Sequence, residues 1–526
     1  MASTSSQPVV LKRPAAQQAV RPKQASTRPS DAPAPAQYEP DGDAEAESVT
    51  PEWTLPVPTS QPNWALHAVR VLQGSSHLPA RLGQDKNLNL TIWSDCSGIN
   101  SEMFALRELG KELRALVGVN VQWTLYCTCD SDRMSRQFAE LNHEPMHVSS
   151  KMEHRNFETG QIHCEKHNTN HDMPRAGVDL YVGTYPCSPW SRRGKRTGFG
   201  HPDAQASIIG LKTIAYVSPA VFVIEIGEVP SQHALGEIME KINEIIQASV
   251  ARYTIQVVRN LTPAWSGYPT RRKRLFILGW RSDIDGAIAT QPLQSLIEAP
   301  MPVEQTFLRF LRLERPVDWS RVGECPSQEE LLKLSASPCQ CSLDPMVCCT
   351  MHPCKCGRCG ESGTECSWRR MFTNYIGSDM QADVISKKQG TLTYLQVLEM
   401  HGHHGPENPR RRLLINLFAM RPEAHPLNET LMVGDVSQNP PFGDLHTDGD
   451  TPVFTTSSSV WVFQAGQALH MRHMAALMAV DLSMVKFSKD MTESWFRQRL
   501  GLAVHVGNFG LVLMAALAPP VRACLS

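Results

Sequence analysis

Cys187 sits between Pro186 and the Ser188-Pro189 pair, directly after the apolar run "DLYVGTY". It is followed by Arg192, Arg193, Lys195 and Arg196. A cysteine at the mouth of a strand, in a proline-stiffened turn beside cations, can be a thiolate nucleophile, a metal ligand or an inert filler. Three further segments carry chemical groups. Ser97-Gly98-Ile99-Asn100-Ser101 follows the apolar run "LNLTIWSD", and a glycine there lets a ligand approach the backbone closely. Glu225 ends the run "VFVIE", where a carboxylate can move a proton. Thr270-Arg271-Arg272-Lys273-Arg274 concentrates positive charge just before "LFILGW". Taken singly, each has an ordinary structural explanation: a turn, a buried thiol, a solvated strand end, a basic surface.

These segments need elements that bring them together. "LNLTIWSD", "VNVQWTLYCT", "VDLYVGTY", "AVFVIEIG", "TIQVVRN" and "RLFILGW" read as strands. "SEMFALRELGKEL", with Met103, Leu106, Leu109 and Leu113 at helical spacing, and "DRMSRQFAELN" read as helices. This β-α-β rhythm predicts an α/β fold with an open sheet and ligands at the strand C-terminal ends. Cys187, Glu225 and Gly98 all stand at such ends. The rhythm stops between about 300 and 465 and turns helical again in the last sixty residues. The expected organisation is an N-terminal tail over 1–60, a catalytic domain over 86–300, a recognition region over 301–464 and a closing segment over 465–526.

In this order the segments resemble the cytosine-C5 DNA methyltransferase family, over roughly 88–282 and 465–515. "PCSPWSRRGKRTGFG" is similar to the family's Pro-Cys loop with its following Ser and Gly-Lys-x-x-Gly-Phe run. Glu225-Ile226-Gly227 stands where the family has Glu-Asn-Val, and "GYPTRRKR" where it has Gly-x-Pro-Gln-x-Arg-x-Arg. "QALHMRHMAALMAVD" and Gly501-Leu502-Ala503-Val504 stand at its two late motifs. The resemblance implies a Rossmann-like, S-adenosylmethionine-dependent methyltransferase sheet carrying an irregular target-recognition insert. It implies Cys187 as the nucleophile on cytosine C6, favoured as thiolate by the neighbouring cations. Glu225 would act at cytosine N3, and Arg272 and Arg274 would hold the base and the catalytic loop. S-adenosyl-L-methionine would lie against Cys96, Gly98 and Ile99, with Asp130 on the ribose, Ser131 beside the adenine, and Ala503 and Val504 closing on the methionine part. The implied partner is double-stranded DNA, with the target base swung out of the stack.

The chain departs from the family at several positions. Asn100 and Ser101 replace glycines, Ile226 replaces the Asn after the acid, Thr270 replaces a Gln and Leu502 replaces a late Asn. The acid usual after the third strand has no counterpart, and Ser150 lies near its place. Two alternatives therefore stand beside the DNA enzyme: an RNA (tRNA) cytosine-C5 methyltransferase, and an inactive methyltransferase-like DNA-binding regulator. The insert of some 165 residues favours DNA, because the tRNA branch of the family has a compact recognition region.

Eight cysteines fall between Cys339 and Cys366. "CKCGRC" has a C-x-x-C around a glycine, and Cys354, Cys356, Cys359 and Cys366 form a candidate Zn²⁺ site; a loop of reduced thiols is the other reading. The first sixty residues are rich in Pro, Ala, Ser and Gln, with bases before acids, and read as unfolded. The formal net charge of -1 gives no global nucleic-acid signature, so phosphate contacts must come from local clusters. The 15 cysteines, without a secretory signal, predict a reducing intracellular compartment: the nucleus in a eukaryote, the cytoplasm otherwise. No run of about 18 apolar residues is evident, so no membrane span is expected.

Overall fold

The computed structural model describes residues 48–49, 61–303 apart from 192–196, 229–230, 248, 250 and 285, short pieces between 310 and 463, and 465–525. Its centre is a seven-stranded sheet. In chain order the strands are β2 (Lys86–Asp95), β3 (Val119–Cys129), β4 (His147–Ser149), β8 (Leu180–Thr184), β9 (Val221–Gly227), β10 (Tyr253–Leu261) and β11 (Arg274–Arg281). Across the sheet they run β10-β11-β9-β8-β2-β3-β4. All neighbours are parallel except β11, which is antiparallel to both β9 and β10. The strand order reverses between β2 and β8, so the loops leaving these two strands part and open a crevice.

The strands are apolar on both faces, as a helix-covered sheet requires. Leu180, Val182, Val221 and Val223 face one core; Tyr181, Phe222 and Ile224, at the alternate positions, face the other. The first core is covered by α1 (Trp64–Gly74), α2 (Ser101–Glu112), α6 (Gly286–Glu298) and a long final helix, α9 (Val506–Leu525). The second is covered by α4 (Ala204–Val217) and α5 (Gln232–Ile242). The predicted strands and helices of 87–282 are all present.

Three elements differ from expectation. Helix α1 lies upstream of the expected domain start, and Trp64, Ala68, Val69 and Leu72 enter the core. A Cβ on Gly510 of α9 would sit 2.1 Å from the Trp64 ring, so that glycine is what admits the indole. A two-residue strand, β1 (Ser48–Val49), pairs with β16 (Phe487–Ser488) inside the stretch read as a tail. Helix α9 is apolar over Val506–Cys524 and long enough to cross a membrane, contrary to the expectation drawn from the sequence. Here it lies buried in the first core, where Trp280 Nε1 donates to Ala516 O at 2.9 Å.

A small antiparallel sheet leaves the edge of the main one: β5 (Arg155–Asn156), β6 (Gln161–Cys164) and β7 (Thr169–Asp172). Arg155 anchors it. Its guanidinium reaches beneath the main sheet to pair with Asp95, with Nη1 at 2.7 Å from Oδ2, and donates to Thr213 Oγ1. Tyr181 and Trp93 also donate to the Asp95 carboxylate. Charges that deep are tolerated only with this degree of pairing.

Candidate active site

The loop after β2 carries the first group of residues. Cys96, Gly98 and Asn100 all adopt left-handed backbone, with φ of 55°, 54° and 52°. Gly98 takes this conformation freely; a side-chain-bearing residue pays about 1–2 kcal/mol. The loop thus keeps a tight shape with one glycine, held by side chains. Ser97 Oγ and Thr128 Oγ1 lie 2.7 Å apart, and Asn100 Nδ2 donates to Glu102 Oε1 at 2.9 Å. Gly98 N donates to Asp130 Oδ2 at 2.8 Å, joining the loop to the end of β3.

The loop after β8 carries Cys187. Ser191 N and Trp190 N both donate to Cys187 O, closing the turn. Ser188 Oγ donates to Asp203, and Thr184 Oγ1 donates to Cys96 O at 2.6 Å, joining this loop to the first. The Cys187 side chain is exposed toward a cleft. The cations at 192–196 lie outside the described residues.

Glu225 comes from β9, next to β8, and is buried. Arg274, at the start of β11, binds it through Nε at 2.6 Å from Oε1. Burial pushes the Glu225 carboxyl above the usual carboxylate range, while the charges of Arg274 and Arg272 oppose the shift. Alternation along β9 sends Ile226 into the apolar core with Ile224, away from Glu225. The Asn-to-Ile departure therefore adds core packing rather than stripping a polar group from the cleft. Gly227 is needed for closeness: a Cβ there would stand 2.6 Å from Cys187 Cβ.

One cleft of roughly 530 Å³ collects these groups. Cys96, Gly98, Asp130 and Ser131 line one part, Cys187, Glu225 and Arg274 another, and Ala503 and Val504 a third. That volume is of the size that encloses a cofactor and a base. Ser150 lines it too. Two expected residues stand outside. Ile99 turns its side chain into the first core. Arg272 is buried behind the cleft, where Nη1 donates to Phe454 O and Nη2 to Gly501 O, both at 3.0 Å. It ties a piece of the 301–464 region to the closing segment; of the two arginines expected to hold the base and the catalytic loop, Arg274 lines the cleft and Arg272 does not. Leu502 lies at the cleft mouth and is 55% exposed. The cysteines at 354, 356, 359 and 366 lie outside the described residues.

Sequence reasoning passed over Glu102, Lys151, Glu153, Asp203 and Arg499, which also line the cleft. Glu102 stands in the first turn of α2 and reads there as one more helical position. Its Oε1 accepts from Ser94 Oγ at 2.6 Å, while Oε2 is buried without a partner. Burial raises its carboxyl above the usual range. An unpartnered buried acceptor on the cleft wall suits a ligand that brings a hydrogen-bond donor or positive charge. Asp130 Oδ1 and Oδ2 each accept a backbone N–H, from Asp132 and Gly98, and keep lone pairs for a diol. The donor set thus fits S-adenosylmethionine: a cation near Glu102, hydroxyls near Asp130.

Residues 146–315 match the family model described as C-5 cytosine-specific DNA methylase. Among solved structures, the chain is similar to the S. pombe Dnmt2 methyltransferase at 14% identity, covering 82% of this chain and 99% of that one, with a TM-score of 0.38. It is also similar to the Entamoeba histolytica methyltransferase EhMeth at 11% identity, covering 82% and 98%, with a TM-score of 0.39. Among curated proteins none matches. The family match spans β8, the Cys187 loop, β9 and β11, the elements that build one side of the cleft, so this segment is similar to C-5 cytosine-specific DNA methylases.

Proposed function

We propose that the chain is a DNA (cytosine-5-)-methyltransferase that works through a covalent Cys187–cytosine adduct. The observation that carries this is the single cleft in which Cys187, Glu225 and Arg274 share walls with Asp130, Ala503 and Val504. S-adenosylmethionine, when bound, supplies an electrophilic methyl group. The Cys187 thiolate forms a bond to C6 of the flipped cytosine, and the displaced electron pair raises nucleophilicity at C5. Glu225, protonated, donates to N3 so that negative charge does not build on the ring. Arg274 holds the Glu225 carboxyl in place. After methylation, the C5 proton leaves to solvent, the S–C6 bond breaks, and the thiolate and Glu225 proton state are restored. The description of the matching family model and the length of the 301–464 region support DNA as the substrate.

Methyl transfer from isotope-labelled S-adenosylmethionine, with duplex DNA and tRNA offered separately, tests the reading. Label should appear in DNA as 5-methylcytosine. Label in tRNA alone would assign the chain to RNA, and label in neither would make it a non-catalytic binder. A second expectation concerns Gly227→Ala. The added Cβ must push the Cys187 loop aside, and a displacement of about 1 Å can cost about 10²-fold in rate. Cofactor affinity, measured by calorimetry, should hold within a few-fold, since Gly98 and Asp130 are untouched. An unaltered turnover number would remove Gly227 from the positioning of Cys187.

A further inference from the structure

The β6–β7 hairpin brings together four side chains that the cleft does not use. Cys164 ends β6, His167 lies in the turn, His171 is on β7, and His147 begins β4 of the main sheet. Their donor atoms all lie within 4.8 Å of one another. Cys164 Sγ is 3.4 Å from His167 Nδ1, which is 3.1 Å from His171 Nε2. The rings of His147 and His171 are 4.3 Å apart, and His147 Nδ1 is buried with no hydrogen-bond partner. Four-coordinate zinc, with Zn–S of about 2.3 Å and Zn–N of about 2.0–2.1 Å, places sulfur and nitrogen about 3.6 Å apart and two nitrogens about 3.3 Å apart. The observed separations are close to both.

We propose that Cys164, His167, His171 and His147 form a structural Zn²⁺ site that fastens the hairpin to the edge of the catalytic sheet. One thiolate and three neutral imidazoles give a closed N₃S set, with no position left for a catalytic water. Cys164 gives up its thiol proton to solvent on binding. The surroundings are built for a bound sulfur: Val148 N donates to Cys164 Sγ at 3.4 Å, and Glu165 N donates to Val148 O at 2.7 Å. Arg155 and Ile162 anchor the β5–β6 side of the small sheet, whereas β7 is a polar strand, Thr-Asn-His-Asp, mostly exposed. The site has a stake in the cleft. Ser150, Lys151, Met152 and Glu153, which line it, are the residues between His147 on β4 and the insert. A metal bridging β4 and the hairpin would fix both ends of that wall. None of these four residues comes from the cysteine-dense segment at 339–366.

Elemental analysis of the full chain, purified without added metal, tests the proposal and does not depend on what the chain methylates. His167→Ala is the safest variant, because His167 is exposed and its loss leaves both cores intact. His167→Ala and Cys164→Ala should each contain one equivalent of zinc less than the wild type, while a chain changed at both Cys356 and Cys359 should retain that equivalent. After chelation, cobalt added to the wild type should show a thiolate-to-metal charge-transfer band whose intensity falls in Cys164→Ala. S-adenosylmethionine affinity should weaken several-fold in His167→Ala. Zinc content equal to wild type in both His167→Ala and Cys164→Ala would overturn the proposal, as would a wild-type chain with less than about one equivalent.

Discussion

Cys187→Ser should abolish methyl transfer. A serine hydroxyl is not ionised at neutral pH, so attack on C6 loses its thiolate nucleophile. The loop itself should persist. Its turn is closed by backbone bonds from Trp190 and Ser191 to the carbonyl of residue 187, and by the Ser188–Asp203 contact, none of which needs sulfur. Thermal stability and cofactor affinity should therefore match the wild type while turnover falls below detection. Binding to duplex DNA should survive as well, since phosphate contacts carry most of it. A duplex containing 5-fluorocytosine supplies a direct readout, because fluorine at C5 cannot leave as a proton does. The wild type should accumulate a covalent adduct stable to denaturing gel electrophoresis, and the serine variant none. Normal turnover by the serine variant would end the nucleophile assignment.

Glu225→Gln should lose about 10²- to 10⁴-fold in turnover, the usual contribution of a positioned proton donor. The amide can still hydrogen-bond but has no acidic proton. The pH profile separates this from mere damage. Burial raises the Glu225 pKa, so the protonated, donating form extends to higher pH than an exposed carboxyl would allow. Wild-type turnover should accordingly decline as pH rises through that raised value, and the decline should be missing from the glutamine variant. The substitution also leaves Arg274 without its anionic partner, so a lower melting temperature is expected alongside the kinetic loss. A loss smaller than a few-fold would mean that another group handles the proton.

Much of this arrangement was legible in the sequence, for identifiable reasons. Strands buried on both faces need continuous apolar runs, and "AVFVIEIG" and "RLFILGW" are unambiguous examples. Chemistry at strand ends follows from topology, so Cys187, Glu225 and Asp130 could be expected to converge. What stayed hidden depended on facing. Arg272 and Arg274 are two residues apart, yet Arg272 precedes the strand and turns toward Phe454 and Gly501, while Arg274 begins it and faces Glu225. No spacing rule separates those outcomes. Ile226, where the family has Asn, is placed in the core by β alternation, which residue type alone does not reveal. The hairpin of 155–172 carries almost no apolar periodicity, so it gave no strand signal. Its Cys and His residues are spread over two strands, a turn and a neighbouring sheet edge, and local cysteine density at 339–366 drew attention elsewhere. Helix α1 did show helical spacing, in Trp64, Ala68, Val69 and Leu72, but lay beyond the stretch where the β-α rhythm begins.

The long helix α9 has a consequence for how the chain comes into being. It covers a face of the sheet whose last strand, β11, ends at Arg281, more than 200 residues earlier in the chain. At synthesis rates of roughly 5–20 residues per second, that apolar face waits on the order of ten to forty seconds for its lid. During the wait, Leu278, Phe276 and Val223 lack the partners that will bury them. The contacts that finally close the domain also join Trp64 to Gly510, so they carry a long loop-closure delay and slow folding. Nascent chains of this protein should therefore be long-lived clients of chaperones that bind exposed apolar sheets, and arrest of translation before Val506 should leave a product that aggregates rather than one that merely lacks activity.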